Sequence, residues 1–221
     1  MFNICQNCGQ YRVDKIIDPA GPYAVCPHCD HEYLFQMHPL LIVGGASGTG
    51  KTTVLHQLIG QIPAAVLLEG DILWRAEFNK PADNYRDFFE TWLRVCKNIT
   101  QSGRPVVIFN AGMVVPENIE PCLERRYFSA VHYLALICDD QLIVERLQAR
   151  PAGSETNQPE YIAKQLEFNQ WLKDQAKSGE LGITAIDTSA ASITATSQQV
   201  AAWIFEKLQL DPPSASENLA L

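Results

Sequence analysis

The chain lacks any apolar run near the roughly 18 residues that a membrane-crossing helix requires; stretches such as 40–43 and 64–68 are far shorter. No helical membrane span is expected. It is also short of positive charge, with 17 Lys and Arg against 25 Asp and Glu and a net charge of -8. Such a balance repels phosphate backbones at long range, which argues against indiscriminate nucleic-acid binding, although a local basic cleft can still hold a few phosphates. The opening Met1-Phe2-Asn3-Ile4-Cys5 has neither a basic segment nor a long apolar one, so a secretory signal is not expected and a cytoplasmic location is. What is present is 221 residues, 47% of them apolar, enough for one main domain with an ordinary core plus a small appendage.

Four of the seven cysteines fall into two identical pairs, Cys5-x-x-Cys8 and Cys26-x-x-Cys29, separated by 17 residues. This is metal-ligand spacing: each tight turn lets two thiolates reach one tetrahedral ion at about 2.3 Å. Residues 1–38 are below the size at which a chain usually folds unaided, and zinc would supply the missing core. A four-cysteine zinc ribbon is expected, with Tyr23 and Tyr33 on strands flanking the second turn. The competing reading, redox dithiols, needs only one such pair, and His28 and His31 are redundant once four thiolates complete the shell. Arg12 and Lys15 face Asp14, Asp18, Asp30 and Glu32 in this segment, and zinc with four thiolates adds further negative charge. A structural or protein-contacting role therefore fits better than a grip on nucleic acid.

After His38-Pro39 the apolar run Leu40-Leu41-Ile42-Val43 leads into Gly44-Gly45-Ala46-Ser47-Gly48-Thr49-Gly50-Lys51-Thr52-Thr53. The pattern G-x-x-x-x-G-K-[ST] runs from Gly45 to Thr52, between a buried strand and a helix over 53–61, which is the context that gives it meaning. Its glycines let backbone N–H groups turn inward as an anion nest, and the helix N-terminus adds its dipole at the same point. Lys51 is placed for the β- and γ-phosphates of ATP or GTP and Thr52 for Mg²⁺.

The remainder alternates between strands (64–69, 105–110, 132–139, 182–187) and helices (83–101, 117–125, 140–150, 159–177, 197–208), the pattern of an α/β fold with a parallel sheet covered on both faces. Phe88, Phe89, Trp92, Leu93, Cys96 and Ile99 recur at helical spacing and read as core, as do Cys96, Cys122 and Cys138 individually. In open parallel sheets chemistry gathers at the carboxyl ends of the strands. There the second strand ends Glu69-Gly70-Asp71-Ile72-Leu73-Trp74, placing two carboxylates at the edge that holds Lys51. Asp71 is the favoured base for a substrate hydroxyl and Glu69 the alternate; the bland reading is a helix cap. Trp74, Phe78, Tyr85, Phe88 and Phe89 are candidates for an acceptor pocket, or for core. Arg146 and Arg150 share a helix face ahead of a polar loop, 151–159, that reads as a short lid. Closing it would bring both arginines over a transferring phosphoryl group, the alternative being a solvated face paired with Glu145 and Asp140.

These features resemble the P-loop small-molecule kinases related to nucleoside, nucleotide, gluconate and adenylylsulfate kinases, over roughly residues 40–208. The resemblance rests on Gly45 to Thr53, on Glu69-Gly70-Asp71, and on Arg146-Leu147-Gln148-Ala149-Arg150. It implies a P-loop NTPase fold with five parallel strands in the order 2-3-1-4-5, and transfer of the γ-phosphoryl group to a hydroxyl or phosphate of a small substrate. The stretch from Glu69 to Trp74 also looks like a deoxynucleoside-kinase element. Where many P-loop enzymes carry a magnesium-shell aspartate after the third strand, this chain has Asn110, leaving the metal to Thr52 with Glu69 or Asp71. The expected division is a ribbon at 1–38, a kinase domain at 39–210 and a tail at 211–221. The other reading is a P-loop ATPase or switch, or a nucleic-acid-processing NTPase, with the ribbon as docking module; the short chain favours the kinase.

Overall fold

The computed structural model describes residues 3–151 and 154–211; of the expected tail, all beyond Asp211 lies outside the described residues. Three short antiparallel strands come first, β1 (Ile16–Asp18), β2 (Tyr23–Val25) and β3 (Glu32–Leu34). Their register sets Ile17 opposite Ala24 and Ala24 opposite Tyr33, so the three side chains share a face, as cross-strand partners must. That face packs with Phe35 and Tyr127 as a small cluster. Lys15, counted above with the charges of this segment, is in fact fully buried, with its ammonium 4.5 Å from the centre of the Tyr33 ring. The ring's π face attracts the cation that burial has removed from water.

A five-stranded parallel sheet follows, built from β4 (Leu40–Gly44), β5 (Val66–Glu69), β6 (Val106–Phe109), β7 (Val131–Ile137) and β8 (Ile183–Asp187) in the order β5-β6-β4-β7-β8. This is the expected 2-3-1-4-5. Every residue of the central β4 is buried, as a strand covered on both faces requires. Alternation divides the core in two. Leu40, Ile42, Val106, Ile108, Tyr133 and Ala135 pack with Phe88, Trp92 and Leu93 of α2 (Arg86–Thr100), Ile119 of α3 (Pro116–Ile119) and Leu172 of α5 (Pro159–Ser178). Leu41, Val43, Val107, Phe109, Leu134 and Leu136 pack instead with α1 (Lys51–Leu58) and α6 (Ile193–Leu208). A smaller cluster joins α4 (Asp140–Gln148) to Ile162 of α5.

Helix limits differ from expectation where caps and prolines intervene. The helix expected over 117–125 is broken into α3 and a 3-10 turn, Leu123–Tyr127. Pro121 between them has no N–H to donate and disfavours helical geometry in the residue before it. α2 begins only at Arg86 because Asn84 and Tyr85 take positive φ, 48° and 55°. β7 stops at Ile137, and Asp139 turns to cap α4, accepting from the backbone N–H groups of Gln141 and Leu142. α6 starts four residues early because Ser192 caps it, accepting from the Ala195 N–H.

The three-stranded sheet docks on α2 and on the turn after α3. Gln36 N–H donates to Gln101 Oε1 (2.8 Å), Lys97 Nζ to Asn3 Oδ1 (3.2 Å), and Arg126 Nη1 to the Lys15 carbonyl (3.0 Å). Lys97 and Glu124, each about 1% exposed, form a 2.6 Å ion pair beneath this contact, and Arg94 binds the other Glu124 oxygen at 2.9 Å.

Candidate active site

β4 delivers Gly45 to the carboxyl edge of the sheet, and the loop to α1 depends on its glycines. Gly45 has φ +141°, and a Cβ there would lie 2.4 Å from the Leu136 carbonyl oxygen; only a residue without one fits. Gly50, at φ +100°, turns the chain into α1. Thr49 fastens the loop, donating from its hydroxyl to the Ala46 carbonyl at 2.8 Å, and Thr188 after β8 donates to the Thr49 carbonyl at 3.1 Å. Lys51 donates to the carbonyls of Gly45 (2.8 Å) and Ala46 (3.0 Å), folding back across its own loop. Burial pushes its ammonium down to about 8; the Asp71 carboxylate acts upward, and the Arg150 guanidinium acts further downward.

A cleft of about 530 Å³ opens above this loop, lined by the chain from Ser47 to Val54 and by Asp71, Arg146, Arg150 and Tyr161. The glycine-rich loop, a cation cluster and the Asp71 carboxylate thus meet in one space. Asp71 lies in the first turn after β5, and its Oδ1 accepts from Asn110 Nδ2 at 2.9 Å. Glu69, the last residue of β5, is not among the residues lining the cleft. Arg146 donates to the Gly48 carbonyl at 2.8 Å, so it faces the loop. The acids that might have held the two arginines are otherwise engaged, Glu145 with Gln141 and Asp140 with Lys173 and Asn169. Of the expected lid, Ala152 and Gly153 lie outside the described residues.

Two contacts here had not been singled out in the sequence. Ser47 N–H donates to Gln165 Oε1 and Ser47 Oγ meets Tyr161 OH, each at 2.7 Å. Tyr161 and Gln165 are four apart on α5 and so share a face, the only signal the sequence carries for them. Among the candidate pocket aromatics, Phe88 and Phe89 are core at 3% exposed, whereas Trp74 is 48% exposed and packs edge-on against Phe88 at 5.2 Å.

The sulfurs of Cys5, Cys8, Cys26 and Cys29 all lie within 4.8 Å of one another, with Cys5–Cys29 at 3.6 Å and Cys8–Cys26 at 3.9 Å. A tetrahedral ion with zinc–sulfur bonds of about 2.3 Å demands sulfurs about 3.8 Å apart, so the donor set fits zinc. Asn7 Nδ2 points to Cys29 Sγ (3.4 Å) and Tyr33 OH to Cys5 Sγ (3.2 Å), outer-shell donors of the kind that orient metal ligands. Neither His28 nor His31 joins the cluster. Cys96, Cys122 and Cys138 are buried; burial pushes the Cys96 thiol up and that of Cys122 up to about 11, as expected of inert core thiols.

Residues 40–172 match the family model described as AAA domain, AAA_33. No curated protein matches the chain. Among solved structures, the chain is similar to a gluconokinase from Sinorhizobium meliloti 1021, at 20% identity and a TM-score of 0.52, over 80% of this chain and 96% of that one. It is also similar to the tunicamycin resistance protein of Deinococcus radiodurans, at 20% identity and a TM-score of 0.56, over 80% and 99%. At such identities the likeness is one of fold.

Proposed function

The chain belongs to the AAA domain family AAA_33, and from that premise we propose that it is a phosphotransferase moving the γ-phosphoryl group of ATP or GTP to a hydroxyl or phosphate of a small molecule, a nucleoside or nucleotide being one class of acceptor to try. The observation that carries this reading is the placement of Asp71 in the same cleft as Lys51, Arg146 and Arg150. The loop from Gly45 to Thr53 would cradle the phosphates with its backbone N–H groups. Lys51 would leave the loop carbonyls for the β- and γ-phosphates. Thr52 is the residue that would hold Mg²⁺, which neutralises charge on the phosphate oxygens when bound. Asp71 would orient the acceptor hydroxyl and take its proton as the new oxygen–phosphorus bond forms and the bond to the departing diphosphate breaks. Arg146 and Arg150 would balance the charge spread over the transferring group. Trp74, half exposed three residues after Asp71, packs its ring on Tyr85 and Phe88 and is not among the residues lining the cleft, where the aromatic side chain is Tyr161. The likeness of fold to a protein named as a gluconokinase supports transfer to small molecules in general.

In this reading residues 1–38 are a zinc ribbon held by Cys5, Cys8, Cys26 and Cys29, residues 39–210 the kinase domain and 211–221 a tail. Thiolate ligands suit the reducing cytoplasm. Ile16 and Leu34, 59% and 66% exposed on the ribbon, favour contact with another protein over nucleic acid, and the second reading, an ATPase switch that docks through the ribbon, draws on the same two side chains.

The kinase reading is tested by Asp71→Asn. MgATP binding should remain within about twofold of wild type while transfer falls roughly 10²–10⁴-fold, the range for a positioned base. Lys51→Ala should impair both. Unchanged transfer in Asp71→Asn removes that carboxylate from the reaction.

A further inference from the structure

The geometry points to Asn110 as the positioning residue of the acceptor site, an amide that fixes which oxygen of Asp71 is presented to the acceptor. The inference rests on the reading of Asp71 given above. Asn110 follows β6 directly and is only 5% exposed. Its Oδ1 accepts from the backbone N–H groups of Gly112 (3.0 Å) and Met113 (3.1 Å). A flipped amide would set its NH₂ against those two donors, so the orientation is determined and Nδ2 must donate outward. It donates to Asp71 Oδ1 at 2.9 Å. One oxygen of Asp71 is thereby occupied, and the other is left for an incoming hydroxyl in the cleft that Asp71 lines.

The arrangement is held from both sides. A Cβ at Gly70 would fall 2.5 Å from Asn110 Cβ, so glycine at this position is what lets the amide come beside Asp71. The Gly70 carbonyl in turn accepts from the buried Trp92 indole N–H at 2.8 Å. Backbone and carboxylate are thus fixed by different residues, and a carboxylate with one oxygen tethered has lost the rotation that would let it present either edge. Holding a reacting group in one geometry is worth more than contact alone suggests.

Asn110→Asp separates positioning from loop support. The aspartate keeps both acceptor bonds to Gly112 and Met113 but sets a second carboxylate against Asp71 in place of the N–H, so Asn110→Ser, which removes the amide without adding charge, is measured beside it and should show the same loss. With γ-labelled ATP and the acceptors that wild type phosphorylates in a panel of nucleosides and sugar acids, the full zinc-loaded variant should lose 10- to 100-fold in kcat. Its MgATP Kd should stay within twofold and its Tm within a few degrees. In an Asp71→Asn background the same change should cost less than threefold, because the two residues act as a unit. Wild-type kcat in Asn110→Asp overturns the inference, as does a full additional loss in the Asp71→Asn background. A second arm needs no ligand: the side-chain amide signals of Asn110 in nuclear magnetic resonance should shift in Asp71→Ala, and unchanged signals refute the contact. If wild type phosphorylates nothing in the panel, the kinase reading fails and the role in acceptor positioning falls with it, while the amide signals still decide the contact.

Discussion

Trp92 donates its indole N–H to the carbonyl of Gly70 across 2.8 Å, and through that bond the helix under the cysteine-rich sheet holds the residue beside Asp71. Further along the same helix Lys97 and Gln101 receive the three-stranded sheet. The loop from Gly45 to Thr53 hangs on other elements, among them β4, α1, the Thr188 hydroxyl after β8, and Tyr161 and Gln165 of α5. In the proposed reading, the cysteine-rich segment is therefore linked more directly to the Asp71 side of the cleft, where the acceptor would sit, than to the loop from Gly45 to Thr53.

Metal removal should act accordingly. Mass spectrometry of purified protein should find one zinc per chain, and Cys26→Ser or chelation should lower the Tm, since a segment this small has little other core. Acceptor kinetics should worsen several-fold while the MgATP Kd moves less than twofold. Metal-free protein with an unchanged Tm would contradict the ribbon assignment.

The ion pair under the ribbon makes a separate prediction. Glu124→Ala leaves the Lys97 ammonium buried without its carboxylate, and loss of one partner of a buried pair costs about 3–5 kcal/mol. Urea denaturation should show that loss. Lys97→Met with Glu124→Gln should recover most of it, because neither side chain then carries a charge needing solvation. A loss below about 1 kcal/mol in Glu124→Ala would show the pair to be dispensable.

Lys51 sets a pH signature. With its ammonium lowered to about 8 by burial, the free protein carries it charged well below that value and increasingly neutral above it. A bound triphosphate favours the charged form, so binding above about pH 8 should take up as much as about one proton per nucleotide, and affinity should fall as pH rises through this range. Calorimetry in buffers of different ionisation enthalpy reads the uptake directly. Equal proton counts in wild type and Lys51→Ala would assign the effect elsewhere.

Gly70→Ala tests the crowding beside Asp71. The added methyl must displace Asn110 or the turn, at about 1–3 kcal/mol for an overpacked site, and transfer should fall more than MgATP binding does. A variant with wild-type stability and turnover would show that the turn yields freely.

Much of this site could be read in the sequence because its signals are local. A buried strand followed by Gly45 to Thr52 needs no distant partner to be meaningful, and the paired Cys-x-x-Cys turns specify their own ligand spacing. Asp71 and Arg146 stand out by their places after a strand and on a helix face, and both line the cleft. What escaped depends on contacts across the fold. Asn110 was visible only as a neutral residue after the third strand, since nothing in the chain gives its distance to Asp71, 39 positions away. Tyr161 and Gln165 reach Ser47 from more than 110 positions off. Lys15 enters the sequence only as one charge of its segment, and its burial over Tyr33 is set by the fold. Pro121 is itself a local signal, and the helix expected over 117–125 runs through it.

The most direct test of the account is the partition of label from γ-labelled MgATP between a small acceptor and water. Adding an acceptor should divert the label onto it, at a rate at least about tenfold above hydrolysis, because a kinase cleft excludes water from the reacting phosphoryl group. Label released only as inorganic phosphate, and accelerated by a protein or nucleic acid in place of a small molecule, would contradict the kinase and favour the switch.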